Sequence, residues 1–104
     1  MFITVRNGNK EVRLIVEEKV DVTDATVMLR LLSNRIGFGI TLDMSKVRKV
    51  DEKIIKLVMA ANRAVKKDGG RLSLIAPPQE IVEVLSKSDF DGDISWPGSQ
   101  QLSF

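Results

Sequence analysis

Apolar and β-branched residues fall first into two short runs, 2–6 (Phe-Ile-Thr-Val-Arg) and 11–16 (Glu-Val-Arg-Leu-Ile-Val), separated by Asn7-Gly8-Asn9. Two such runs around residues that tolerate positive φ predict a β-hairpin. After Glu17 and Glu18 the pattern changes. Val27, Met28, Leu31 and Leu32 follow the polar stretch 21–24 at i, i+1, i+4 and i+5, which is a helical stripe. Asp21 or Thr23 could cap the free N–H groups of that helix, and Asp24 suits its first turn. Gly37 and Gly39 end it. Ile40-Thr41-Leu42-Asp43-Met44 then alternates apolar and polar with a period of two, predicting a strand.

A basic loop, Ser45-Lys46-Val47-Arg48-Lys49-Val50, leads to Asp51, a candidate N-cap. From 52 to 67, Ile54, Val58, Ala61 and Val65 recur at helical spacing, and Ile55, Leu57, Met59 and Ala60 widen the face. Lys66 and Lys67 suit the negative end of the helix dipole, and Asp68-Gly69-Gly70 supplies a left-handed exit. Another strand spans 71–76, followed by Pro77-Pro78, with Pro78 in the first turn of a short helix that ends near Lys87. Asp89-Phe90-Asp91-Gly92 reads as a turn and 93–96 as a last short strand stopped by Pro97-Gly98. The tail 99–104 carries no clear pattern.

Strands alternating with helices predict an α/β fold with a mostly parallel sheet of four or five strands and right-handed crossovers. A sheet covered on both faces would show continuous apolar strands. Here Val12/Leu14/Val16, Ile40/Leu42/Met44 and Leu72/Leu74/Ala76 alternate with Arg13/Ile15/Glu17, Thr41/Asp43 and Arg71/Ser73/Ile75, so the second face is mixed, and polar in the middle strand. The helices therefore gather mainly on one face, as strands added in sequential order require. That argues against a doubly wound nucleotide-binding sheet, whose strand order reverses and whose two faces are both buried. The 104 residues make one domain, with 97–104 a short tail.

Composition narrows the chemistry. The chain has neither cysteine nor histidine, which removes disulfides, thiolate or imidazole metal ligands and any Ser-His or Cys-His dyad. With 16 basic and 14 acidic residues the net charge is +2, too small to point to nucleic acid. No apolar run is long enough for a membrane span, so the expected location is the cytoplasm. Neither GxGxxG nor GxxxxGK[ST] occurs; Gly37-Phe38-Gly39 precedes a strand rather than opening a helix.

Candidate acids remain at Asp43, Asp51 and Glu52, near the carboxyl end of a strand where open α/β sheets bind ligands. A small ligand-binding domain or enzyme could use the three around a divalent ion. The plainer reading is that Asp51 caps the long helix and Glu52 complements its dipole. Charge is also uneven: nine basic residues between Lys46 and Arg71 face only Asp51, Glu52 and Asp68, while five acids between Glu80 and Asp93 face only Lys87. Lys53, Lys56, Arg63 and Lys67 share one outer face of the long helix. That face is either simply solvated or steers an acidic protein partner.

The segment Ile40-Thr41-Leu42-Asp43-Met44-Ser45 … Val50-Asp51-Glu52-Lys53-Ile54 resembles the STAS domain of bacterial anti-sigma factor antagonists. In that family a strand ending in L-D-[LM]-S leads to a D-S-S-G helix start. Asp43, Ser45 and Asp51 match. Asp68-Gly69-Gly70-Arg71-Leu72 resembles the family's G-G-[KR]-L, and Ile75-Ala76-Pro77-Pro78 through Val84-Leu85 … Phe90-Asp91-Gly92 its later P…V…VL…GLDG run. The resemblance, covering residues 3 to 96, implies a β–α superhelix with helices on one side of the sheet. It also implies a non-enzymatic regulator without a cofactor or metal. Such a protein binds an anti-sigma factor, commonly a serine kinase, and frees the sigma factor for transcription.

Family members are switched by phosphorylation of the first serine in D-S-S-G, which adds about −1.5 to −2 charges. Here Glu52 occupies that position, Lys53 the second serine and Ile54 the glycine. Glu52 either imitates the phosphorylated state in part or belongs to a surface redrawn for a different partner, with Lys53 offsetting its charge. In the second case Ser45 and Thr23 are alternative control points. The resemblance and charge pattern together place partner contacts at Asp21, Thr23, Asp24, Ser45, Lys46, Arg48, Lys49, Asp51, Glu52, Lys53 and Lys56, on a monomer or weak homodimer.

Overall fold

The computed structural model describes residues 2–17, 22–96 and 102–103. The elements run β1 (Phe2–Arg6), β2 (Glu11–Ile15), α1 (Val22–Leu32), β3 (Gly39–Asp43), α2 (Glu52–Asp68), β4 (Leu72–Ile75), α3 (Gln79–Ser86), β5 (Asp93–Ser95) and β6 (Leu102–Ser103). They form one six-stranded sheet in the order β1-β2-β3-β4-β5-β6. The pairs β2–β3, β3–β4 and β4–β5 are parallel, and the outer pairs β1–β2 and β5–β6 are antiparallel. Sequential order with right-handed crossovers leaves α1, α2 and α3 on one side of the sheet.

Register aligns the apolar positions into rows. Val12 lies beside Ile40 and Ile40 beside Leu72; Leu14, Leu42, Leu74 and Ile94 form the next row. All of these are buried and pack beneath Met28, Leu32, Ile54, Leu57, Val58, Ala61, Ile81 and Leu85 from the helices. Each fully buried aliphatic side chain contributes about 1.5–3 kcal/mol relative to exposure, so the rows supply much of the driving force. The opposite face carries Arg13, Thr41, Ser73 and Asp93 in one row. Its polar groups pair with each other: Thr41 Oγ1 donates to Glu11 Oε2 at 2.8 Å. Arg71 Nε and Nη2 each donate to the Asp93 carboxylate at 2.8 Å. Those hydrogen bonds and the Asp93 charge hold the Arg71 guanidinium above its ordinary pKa.

Several boundaries differ from the sequence expectation. The hairpin turn spans Asn7 to Lys10, closed by Lys10 N–H donating to Asn7 O at 3.3 Å. The left-handed residue is Lys10 (φ 50°) rather than one of Asn7-Gly8-Asn9; a four-residue connection needs its left-handed residue at the return into the strand. β4 ends one residue early because Ala76 turns left-handed, φ 51°. Pro78 is the N-cap of α3, φ −60° and ψ 154°, not a first-turn residue; proline's fixed φ suits both positions, and ψ decides. Val27 is exposed, whereas Met28 and Leu32 are buried, because the core-facing stripe is centred one residue later. Within 99–104, where the sequence shows no clear pattern, Leu102–Ser103 form β6.

Two glycines are structural. Gly69 caps α2 with φ 76°, its N–H donating to Val65 O. At Gly92 a Cβ would stand 1.8 Å from Leu72 O, so only glycine lets the chain pass β4 there.

Candidate functional site

In a sheet of this topology each parallel strand delivers the chain at its carboxyl edge to the start of the next helix. The β3–α2 connection is the longest such passage among the fully described ones, and its conformation is set by two aspartates. Asp43, the last residue of β3, accepts from Ser45 N at 3.0 Å and from Ser45 Oγ at 2.7 Å through the same Oδ1. This is an Asx turn, in which a short acidic side chain replaces a backbone acceptor. Met44 and Val47 point into the core on either side of it and anchor the loop, and Val47 N–H donates to Met44 O at 3.0 Å. Ser45, Lys46, Arg48 and Lys49 are consequently left exposed.

Asp51 then starts α2. Its backbone is extended (φ −118°, ψ 176°) and its Oδ1 accepts from Ile54 N at 3.0 Å. This satisfies one of the four otherwise unpaired N–H groups of a helix start. Ile54 is fully buried, which fixes the helix against the sheet. Asp51, Glu52, Lys53 and Lys56 all remain exposed. Glu52 Oε1 pairs with Lys56 Nζ at 3.2 Å, one turn along, with their side chains 80% and 73% exposed. The charge beside Glu52 is therefore offset by Lys56, not by Lys53 as the sequence suggested; residues four apart face each other on a helix and adjacent ones do not.

Of the remaining candidates, Thr23 is exposed within α1 and Asp24 is half-buried in its first turn. Thr23 is not the N-cap, since α1 begins at Val22. Asp21 lies outside the described residues. The three carboxylates proposed around an ion are separately engaged, Asp43 in the turn, Asp51 in the cap and Glu52 with Lys56. No group of three or more Asp and Glu among the described residues could hold a metal ion.

Sequence reasoning missed how the acid-rich segment 80–93 is used. Lys66 Nζ lies 3.8 Å from Asp89 and 3.6 Å from Asp91, and buried Asn62 Nδ2 donates to Asp89 Oδ1 at 3.3 Å. With the Arg71–Asp93 pair, these contacts tie the acidic loop to the basic half of the chain. Part of the charge asymmetry is thus internal, while Lys53, Lys56, Arg63 and Lys67 stay outside. Among the described residues no helix is long and apolar enough to cross a membrane.

The family model described as Mlab, STAS domain, matches residues 3–97. The chain belongs to this STAS family. The match spans the hairpin, all three helices and β5, so the fold and the β3–α2 tip fall within it. The STAS fold is also that of SpoIIAA, an anti-sigma factor antagonist solved in its unphosphorylated form. SpoIIAA is 16% identical, with a TM-score of 0.67 and 86% of this chain and 84% of that one covered. The Thermotoga maritima protein TM1081, whose crystal structure describes it as a candidate anti-sigma factor antagonist, shares the fold in its NMR structure at TM-score 0.58. It is 18% identical, with 81% of this chain and 69% of that one covered. No curated protein sequence matches the chain significantly.

Proposed function

We propose that this STAS domain is a non-enzymatic docking module of the bacterial cytoplasm. It binds an anti-sigma factor, commonly a serine kinase in such systems, or a related regulatory protein, and so frees a sigma factor for transcription. The observation that carries the reading is the exposed β3–α2 tip, where Ser45, Lys46, Arg48 and Lys49 precede Asp51, Glu52, Lys53 and Lys56 on a rigidly anchored frame. Asp43 and Asp51 hold that frame through backbone hydrogen bonds. The charged side chains present the pattern a partner reads. Thr23 and Asp24 in the first turn of α1 extend the same sheet edge. A complex of standard size would bury about 1,200–2,000 Å², and the basic residues make its formation salt-sensitive.

Glu52 stands where relatives of this family carry the phosphorylated serine. A phosphate there would bring about two charges and three acceptor oxygens. Glu52 brings one charge, and Lys56 Nζ lies 3.2 Å from it. This pairing supports a surface redrawn for a partner that expects Glu52 and its lysine neighbours, with any switching moved to another site such as Ser45 or Thr23. Calorimetric titration of a purified anti-sigma factor kinase into the wild-type protein, Glu52→Ala and Glu52→Ser tests this. The redrawn surface loses affinity in both variants, and a phosphate mimic gains it. Unchanged affinity in both removes Glu52 from the interface.

A further inference from the structure

The exposed large apolar side chains among the described residues are Val27 (42%), Leu29 (43%) and Ile36 (77%), all on α1 or its exit. Leu29 differs from the other two in what surrounds it. It opens onto a groove of about 380 Å³ between α1 and the second half of α2, lined also by Leu32, Ser33, Ala64, Lys67 and Asp68. A second hollow of about 210 Å³ shares Leu29, Ala64 and Lys67 and adds Ala60 and Arg63. The two hollows adjoin through these shared residues and bring the apolar Leu29, Ala60 and Ala64 beside the basic Arg63 and Lys67, with Ser33 and Asp68 also in the lining of the larger one. Arg63 and Lys67, one helical turn apart, are both exposed and make none of the ion pairs described above. Neighbouring Lys66, by contrast, turns away to Asp89 and Asp91.

From this geometry we infer that the α1–α2 groove is a second docking site, for an acidic amphipathic helix of a partner protein. An apolar stripe on that helix covers Leu29, Ala60 and Ala64, and its carboxylates lie over Arg63 and Lys67. Helices are recognised in grooves of this kind through apolar anchors at i, i+3 or i+4 and i+7. The charge of the wall selects a carboxylate-bearing partner over a basic one. Asp68 also lines the groove, and its charge turns the partner's acids toward Arg63 and Lys67. The α2 residues from Ala60 to Lys67 span about 10 Å at 1.5 Å per residue, so roughly two turns of the guest helix are engaged. This site lies toward the end of α2, away from the β3–α2 tip, and does not depend on the reading of the tip.

The test titrates a synthetic 18-residue helix, with leucines at i, i+3, i+4 and i+7 and glutamates elsewhere, into the full chain carrying ¹³C-labelled leucine and alanine methyl groups. The proposal expects saturable shifts of the Leu29, Ala60 and Ala64 methyls. Arg63→Glu combined with Lys67→Glu, and separately Leu29→Ser, weaken binding at least tenfold while circular dichroism stays native. The same peptide with lysines in place of glutamates leaves the spectrum unchanged. The inference is overturned by any of four results: no shifts at millimolar peptide; equal response to the lysine peptide; shifts insensitive to the variants; or shifts located at 45–53. It also fails if the groove methyls move on simple concentration of the protein, which identifies a second copy as occupant. Broadening by phosphatidylglycerol vesicles without a peptide response points to a lipid surface instead and overturns it as well.

Discussion

Replacing Asp51 with alanine isolates the device that holds the candidate docking tip in place. The substitution removes the 3.0 Å hydrogen bond from Ile54 N–H to Asp51 Oδ1 and the carboxylate charge at the positive end of α2. Loss of a side-chain cap costs about 0.5–2 kcal/mol, typically about 1. The buried position of Ile54 hampers rescue of its N–H by water, placing the cost at about 1–1.5 kcal/mol. For a domain of this size about 1 kcal/mol lowers Tm by roughly 4–8 °C. Asp51→Asn separates the two contributions, since it keeps the acceptor and loses only the charge, worth about 0.3–1 kcal/mol near a helix start. Urea and thermal unfolding followed by circular dichroism provide the assay, and the Asp–Asn difference should shrink in high salt. A Tm within 1 °C of wild type for Asp51→Ala, or an Asn variant as unstable as the Ala variant, refutes the capping argument.

Other outcomes follow from the packing. Gly92→Ala places a methyl 1.8 Å from Leu72 O and should cost about 1–3 kcal/mol through forced backbone movement, whereas Gly8→Ala, with nothing within 4 Å of the new Cβ, should leave the urea midpoint unchanged. Leu42→Ala empties a fully buried position in the central strand and should lower stability by about 2–5 kcal/mol in urea titrations. Lys56→Ala removes only an exposed i,i+4 pair, so its stability change should stay within about 0.5 kcal/mol.

How far the sequence reveals the fold is clearest in α2. Its apolar spacing, the Asp51 cap and the glycine exit are all local signals, and the helix runs Glu52–Asp68 with the cap and left-handed Gly69 where the residues call for them. The one-sided sheet was equally legible, because period-two alternation in β2, β3 and β4 is a direct record of which face is buried. What escaped was determined by partners distant in the chain. β6 has only two residues, too few to show a period-two pattern, and its antiparallel pairing with β5 has no local signal. The links from Lys66 to Asp89 and Asp91 join residues more than twenty positions apart, and no local pattern announces them. The same limit applies at the tip: adjacency in sequence points to Lys53 as the offset to Glu52, and helical geometry selects Lys56. The α1–α2 groove was hidden for a related reason, since Leu29 falls outside the core stripe yet lies beside α2.

The central claim is that the β3–α2 tip is what a partner touches. Hydrogen–deuterium exchange of the protein, alone and bound to a purified anti-sigma factor, measures this directly. The account expects added protection concentrated at 45–56, across Ser45, Lys46, Arg48, Lys49, Glu52, Lys53 and Lys56. Protection confined to the polar face of the sheet around Arg13, Thr41 and Ser73, with the tip exchanging as in the free protein, would contradict it.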